Sequence, residues 1–195
     1  MRWDSDTLRF MLVAACVLVA FIQRGDRYLL VAMVFTTVAD AFLLLLGWHE
    51  AGVAVFVFAH IAYIRRANRN WKWARLYPLT FLAPAVLLLL KQPPLLALSV
   101  LYGQTILWAA AATLRAWKAG RKPRVRWACA ALGMALFVGC DICVVLYNLD
   151  VAGIHLPALS RAAGDIIWVF YAPSQALLAA SAGKWKVLLD EERRG

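Results

Sequence analysis

Apolar residues run through this chain in long blocks separated by short polar segments, and the blocks match the length of a membrane-crossing helix. Such a helix takes about 20 predominantly apolar residues. Seven stretches meet or approach that length: roughly 7–23, 28–47, 50–66, 75–91, 94–115, 125–148 and 160–183. The pattern predicts an all-α fold, a polytopic transmembrane bundle of about seven helices in one domain over residues 1–195. The joints after the second and fourth helices are tight, at residues 47–50 and 91–94. Pro78 and Pro84 are expected to distort the fourth helix, which a bundle tolerates when neighbours satisfy the freed carbonyls. The first block has the length of a signal-peptide core, but Arg2 shares its flank with Asp4 and Asp6 and no small-x-small cleavage pattern precedes Gln23. It is expected to be a retained helix.

Composition sharpens the class. The chain is 64% hydrophobic and 16% charged, with a mean hydropathy of +0.69. Soluble domains average about 45–50% apolar and about 25% charged residues. A formal charge of +10 would suit a nucleic-acid partner on a soluble fold, but here the basic residues stand in short loops between apolar blocks. Their placement sets orientation instead, and no nucleic-acid partner is expected. Of the 21 Lys and Arg residues, 17 follow the first, third, fifth and seventh helices. Only Arg2, Arg9, Lys91 and Arg161 fall on the other side. The asymmetry predicts an N-terminus outside and a C-terminus in the cytoplasm, with the bacterial cytoplasmic membrane as the expected location. Trp71, Trp73, Trp117, Trp127 and Trp185 flank the basic loops as an interfacial belt would.

Against this background two residues are anomalous. Asp40 and Asp141 each stand deep in an apolar block. A carboxylate at the centre of a spanning helix costs at least about 2.5–3.5 kcal/mol, so its presence points to function. Asp40 lies seven residues before Gly47 and Asp141 seven before Asn148, both on outward-running helices. At about 1.5 Å per residue, both sit roughly 10 Å below the outer helix ends. No basic residue shares that depth, and at least one of the pair is expected to be protonated at neutral pH. Such a division separates a general acid from a general base.

Other polar residues fall at comparable levels: His60 and Tyr63 on the third helix, Gln104 and Trp108 on the fifth, Tyr171 and Gln175 on the seventh. Helical spacing gathers Thr36, Asp40 and Gly47 on one face, Phe56, His60 and Tyr63 on another, and Gly133, Phe137, Asp141 and Asn148 on a third. Closed into a bundle, these faces can line one cavity. Plainer roles compete. His60 can hydrogen-bond a carbonyl between helices, and Gln104 and Gln175 can be polar glue worth under about 1 kcal/mol each. Asp165, near the outer end of the seventh helix, is expected to be solvated or paired with Arg161. Cys16, Cys129, Cys140 and Cys143 all lie in apolar segments, and the Cys140/Cys143 spacing has no second pair to make a metal motif. They are expected to be packing residues, and neither a metal nor a cofactor is expected.

In order along the chain, these residues resemble the lysoplasmalogenase family, the YhhN-like integral membrane proteins. The family's Gly-Asp-x-x-Leu element is matched by Ala39 to Leu43, and its Gly followed by His-x-x-Tyr by Gly52 and His60 to Tyr63. A Gly-Ala-x-x-Phe stretch and a Ser-Asp pair are matched by Gly133 to Phe137 and by Cys140 and Asp141. A closing Tyr-x-x-x-Gln is matched by Tyr171 to Gln175, after Ser160 and Arg161. The resemblance covers about residues 28–183. Ala39 stands where the pattern has Gly and Cys140 where it has Ser, and family members often have eight helices.

The resemblance implies hydrolysis of the vinyl ether bond of a lysoplasmalogen, giving a fatty aldehyde and a glycerophospho-amine. It implies Asp40 and Asp141 as the acid–base pair, with His60, Tyr63, Gln104, Tyr171 and Gln175 positioning water or the headgroup, and a lysophospholipid entering from the bilayer. Three other readings stay open: a proton-coupled transporter, since buried carboxyls also relay protons; a non-catalytic lipid-binding bundle; and an enzyme in which Asp40, Asp141 and His60 hold a metal.

Overall fold

The computed structural model describes residues 5–23, 26–68, 79–148 and 154–183. Among them are seven α-helices and no strand: α1 (Ser5–Ile22), α2 (Arg27–Asp40), α3 (His49–Ala67), α4 (Leu82–Leu89), α5 (Pro94–Lys118), α6 (Arg124–Tyr147) and α7 (Pro157–Ala180). The second helix does not stop at Asp40 but continues as a π-helical segment, Ala41–Leu46. Arg2, Arg24, Trp71, Trp73, Pro78, Trp185 and the basic residues Arg69, Lys72, Arg75, Lys184, Lys186, Arg193 and Arg194 lie outside the described residues.

Six helices close into a ring, each packed on its neighbours in the order α1, α2, α3, α5, α6, α7 and back to α1, with α4 laid against α5. Four helical segments are long and apolar enough to cross a membrane: Ser5–Ile22, Arg27–Leu46, Pro94–Lys118 and Arg124–Tyr147. Helices α3 and α7 have 19 and 24 residues, and their lower hydropathy comes in part from polar residues that the ring buries, among them His60, Ser174 and Gln175. The exterior is apolar, with Phe21, Ile22, Leu89, Val145 and Val169 among the most exposed side chains. An apolar surface of this extent marks contact with lipid rather than water.

The fourth element departs from expectation. Within the described residues it is a helix of eight residues preceded by a 3₁₀ turn at 79–81 and ending at Leu89 instead of residue 91, while positions 75–78 of the expected span lie outside the described residues. Eight residues rise only about 12 Å. Pro84 stands in its first turn, where the missing N–H costs no intrahelical bond, so it marks the helix start instead of kinking its middle. Helix α7 carries a proline in its interior: Pro173 stands between Tyr171 and Gln175 and has no N–H for the carbonyl four residues back.

Alternation of direction is visible in how the helix ends meet. Arg66 near the end of α3 donates to Asp26 at the start of α2 and to Ser181 just beyond α7. Arg126 in the first turn of α6 also pairs with Asp26, and Arg121, just beyond α5, donates to the Ala67 carbonyl. The end of α3, the end of α5 and the end of α7 therefore share one face with the starts of α2 and α6. Trp127 belongs to this cluster and is buried, not part of an exposed belt.

Close approach of helices is set by two glycines. A Cβ on Gly52 of α3 would lie 2.6 Å from the Leu43 side chain and 3.2 Å from the Ala39 carbonyl, one residue before Asp40. A Cβ on Gly133 of α6 would lie 3.1 Å from the Ser174 carbonyl of α7. Small residues at such crossings let backbones approach in the absence of a hydrophobic drive between helices.

Candidate active site

Both anomalous aspartates find a phenol. Asp40, 4% exposed, accepts a hydrogen bond from Tyr171 Oη at 2.5 Å. Asp141, half-buried, accepts one from Tyr102 Oη at 2.7 Å. The first pair joins α2 to α7 and the second joins α6 to α5, so opposite arcs of the helix ring each contribute one carboxyl and one phenol.

A continuous stack of rings links the two pairs. The His60 ring centroid lies 5.3 Å from that of Tyr102 and 5.1 Å from that of Phe137. Phe137 in turn meets Tyr171 edge-on at 5.4 Å. Trp168 closes on the other side of Tyr171 at 5.1 Å, and Phe56 packs against His60, Tyr102 and Phe137. Such edge-to-face and tilted contacts hold rings in defined orientations. The phenols of Tyr102 and Tyr171 are near enough to interact electrostatically with each other and with Asp40. The site is thus two carboxyl–phenol pairs around an aromatic centre holding one imidazole.

Several polar atoms here lack protein partners. Both ring nitrogens of fully buried His60 and the Gln175 Oε1 have no hydrogen-bond partner among the described residues. Gln175 Nε2 makes only a long contact to Ser174 Oγ, 3.4 Å. Buried polar atoms are ordinarily paired with protein or water, and clusters of exceptions mark places where another polar group binds. Water or the polar part of a ligand fits this requirement.

Of the residues singled out from the sequence, Asp40 and Tyr171 are directly bonded, and Asp141, His60 and Gln175 stand in the same interior. Tyr63 is fully buried one turn from His60, the two rings 6.2 Å apart. Gln104 is placed differently. Tyr102, Thr105, Ile106 and Ala109 mark the inward face of α5, and Gln104 is turned about 200° from Tyr102 around that helix. Its Oε1 is nonetheless buried and unpartnered among the described residues. Gly47 ends the π-helical segment and is exposed, off the buried face that carries Thr36 and Asp40. The wider turn after Asp40 breaks the 3.6-residue register.

The residue missed from the sequence is Tyr102. Its signal was present: a phenol in an apolar block three and seven residues before the small residues Thr105 and Ala109, where an O–H needs a partner. The π-helical segment beside Asp40 had no sequence signal that periodicity detects, and such bulges recur at functional sites.

No three His, Cys, Asp or Glu side chains among the described residues lie close enough together to hold a metal ion. Asp40, Asp141 and His60 therefore do not converge as a ligand set. Cys140 and Cys143 are buried free thiols, and Asp165 is exposed without an ion pair to Arg161.

Comparison with known proteins agrees with the ordered motifs. No curated protein and no solved structure gives a significant match. The model of the YhhN family matches residues 3–182, nearly the whole chain. With that coverage, and with the aspartates of its motifs gathered in one interior, the chain belongs to the YhhN family.

Proposed function

We propose that this protein is a membrane-embedded hydrolase that cleaves the vinyl ether bond of a lysoplasmalogen, a lysoplasmenyl-ethanolamine or -choline. Its place is the bacterial cytoplasmic membrane, and its substrate a lysophospholipid drawn from the bilayer. One observation carries the reading: two carboxyl–phenol pairs, Asp40 with Tyr171 and Asp141 with Tyr102, flank one buried aromatic interior. The YhhN family includes lysoplasmalogenases, which supports the choice of substrate.

The chemistry asks for two carboxyl groups in different protonation states. A neutral carboxylic acid delivers its proton to the β-carbon of the vinyl ether, leaving an oxocarbenium ion. The second carboxyl, ionised, stabilises that cation and takes a proton from the water that attacks the oxygen-bearing carbon. The hemiacetal then collapses: its hydroxyl loses a proton, the ether oxygen gains one, and the C–O bond breaks to give aldehyde and glycerol hydroxyl. Each phenol engages Oδ2 of its aspartate, so Oδ1 is the oxygen left for proton transfer. A phenol suits this work because it hydrogen-bonds a carboxyl in either protonation state. His60 and Gln175, with unpartnered polar atoms, hold water or headgroup.

Aldehyde release from lysoplasmenylethanolamine by the detergent-purified protein tests the proposal. Turnover is expected from the wild type and a loss of about 100-fold or more from Asp40→Asn or Asp141→Asn. Wild-type rates in both variants, or proton uptake into proteoliposomes with no aldehyde formed, would overturn it.

A further inference from the structure

A second polar site lies at the other end of the bundle, where the starts of α2 and α6 meet the ends of α3, α5 and α7. Its centre is Asp26, the N-cap of α2, which accepts from the Leu29 N–H at 3.1 Å. One carboxylate oxygen of Asp26 takes two guanidinium groups, Arg66 Nε at 2.8 Å and Arg126 Nη2. The Arg66 side chain is only 1% exposed, and its two other nitrogens are held by Ser181 Oγ and the Ser181 carbonyl, both at 2.7 Å. Trp127 sits among three guanidinium groups, with Arg66, Arg121 and Arg126 at 5.5, 5.6 and 5.9 Å from its ring.

Against these residues opens a cavity of about 630 Å³. Among the described residues its only acid is Asp26, while Arg27, Arg66, Arg121, Lys122 and Arg126 all line it. Counting these described residues, positive charges on its walls exceed negative ones by four. The Nε of Arg126 is buried with no hydrogen-bond partner among the described residues. Orientation-setting charges need only stand near the surface. These instead line a concavity, and one is buried and hydrogen-bonded at every nitrogen. A concave wall of one sign focuses the potential and favours a compact anion.

The chemistry of the walls selects the anion. Guanidinium forks present paired N–H donors suited to oxyanions with several acceptor oxygens, phosphate above all. The volume exceeds what a bare carboxylate needs and leaves room for what a phosphate carries. Basic pockets between helices on the cytoplasmic side are also where anionic headgroups bind. Nor is this the far end of the proposed catalytic site. Asp26 precedes Asp40 by 14 residues of α2, about 21 Å at 1.5 Å per residue. In a lysoplasmalogen the vinyl ether oxygen and the phosphorus are about five bonds, roughly 7 Å, apart. One substrate molecule cannot occupy both places.

We propose that this cavity binds a phosphate group, presented by an anionic phospholipid of the adjoining leaflet or by a free phosphate or phosphomonoester. Thermal unfolding of the full chain tests it in two arms. In neutral detergent, sodium phosphate and glycerol 3-phosphate are compared with sodium chloride at equal ionic strength. In nanodiscs, phosphatidylcholine alone is compared with phosphatidylcholine containing phosphatidylglycerol. A saturable rise in midpoint is expected in at least one arm. The first arm alone identifies a soluble ligand, the second alone a phospholipid. Arg126→Gln and Arg121→Gln are expected to raise the half-saturating concentration at least tenfold, and Arg161→Gln, far from the cavity, to leave it unchanged. If either variant fails to fold, Lys122→Gln, whose side chain is exposed, is expected to raise it at least threefold. No saturable rise in either arm, or cavity variants that respond as Arg161→Gln does, would overturn the proposal.

Discussion

Two sets of carboxyl groups in this bundle meet the problem of burial in opposite ways. Asp26 is surrounded by cations: Arg66 and Arg126 both reach the same oxygen. Burial by itself would raise its pKa, but the guanidinium groups and the Leu29 N–H outweigh burial and hold it below the usual carboxylate range. Asp40 and Asp141 each have a tyrosine hydroxyl in place of a cation. A carboxylate locked between guanidinium groups is a fixed charge that ties helix ends together. A carboxyl whose partner is a phenol keeps its hydrogen bond whichever protonation state it adopts. Asp26 is only partly buried and Asp40 almost fully so, yet the sharper difference between the two sets is the chemistry of the partner.

The largest test of this contrast exchanges the carboxyls one at a time. Asp40→Asn and Asp141→Asn are expected to lower aldehyde release about 100-fold or more while leaving the unfolding midpoint within a few degrees. Asp26→Asn should do the reverse, lowering the midpoint and leaving turnover within about twofold. If Asp26→Asn abolished turnover while remaining folded, the division between fixed and exchangeable carboxyls would collapse.

Next in size is Arg66→Met. Removing one partner of a buried ion pair costs about 3–5 kcal/mol, and because Asp26 keeps Arg126 the expected loss is nearer 2 kcal/mol. Chemical denaturation in mixed micelles would measure it, and an unchanged midpoint would show that the helix ends are not held by this guanidinium.

Tyr102→Phe and Tyr171→Phe sharpen the other half. Each deletes one hydroxyl while keeping the ring stack through His60 and Phe137. A hydrogen bond to a charged group contributes about 1.5–3 kcal/mol, so a fall in turnover of about tenfold or more is expected with little loss of stability. Equal rates in wild type and both variants would reduce the phenols to packing.

The smallest effect concerns pH. Because the folded pKa of Asp26 is depressed, its contribution to stability is complete above the unfolded value of about 4 and is lost as pH falls through the folded one. The midpoint difference between wild type and Asp26→Asn should therefore narrow below about pH 4. A difference that stayed constant from pH 6 to pH 3 would contradict the ion-pair account.

The inward faces of the helices were legible in the sequence because a spanning helix exposes apolar residues to lipid and can hide polar ones only inside. That rule reaches Asp40, His60, Tyr63, Tyr171 and Gln175 without any structure. It does not reach Tyr102. A tyrosine within an apolar block is mostly an apolar ring and reads equally well as packing, and only the packing of α5 against α3 and α6 turns its hydroxyl onto Asp141. Gln104 is polar and lies at a similar depth, yet it stands off the face that Tyr102, Thr105 and Ala109 define. Trp127 had the composition of a membrane belt and became instead the wall of a basic cavity, because Arg66 comes to it from a different helix.

Composition and apolar block length alone determined that the chain is a helical bundle built for a bilayer, and the ordered motifs alone determined its family. Those are properties of single segments: how many apolar residues run together, and which residue types follow at which spacing. Partnership was decided only by the tertiary structure. Which carboxyl meets a phenol and which meets an arginine depends on contacts between residues as far apart as Asp40 and Tyr171 or Asp26 and Arg126. The local sequence around an aspartate sets what burying it costs, but its partner arrives from another helix, and that partner decides whether the charge is fixed or free to exchange a proton.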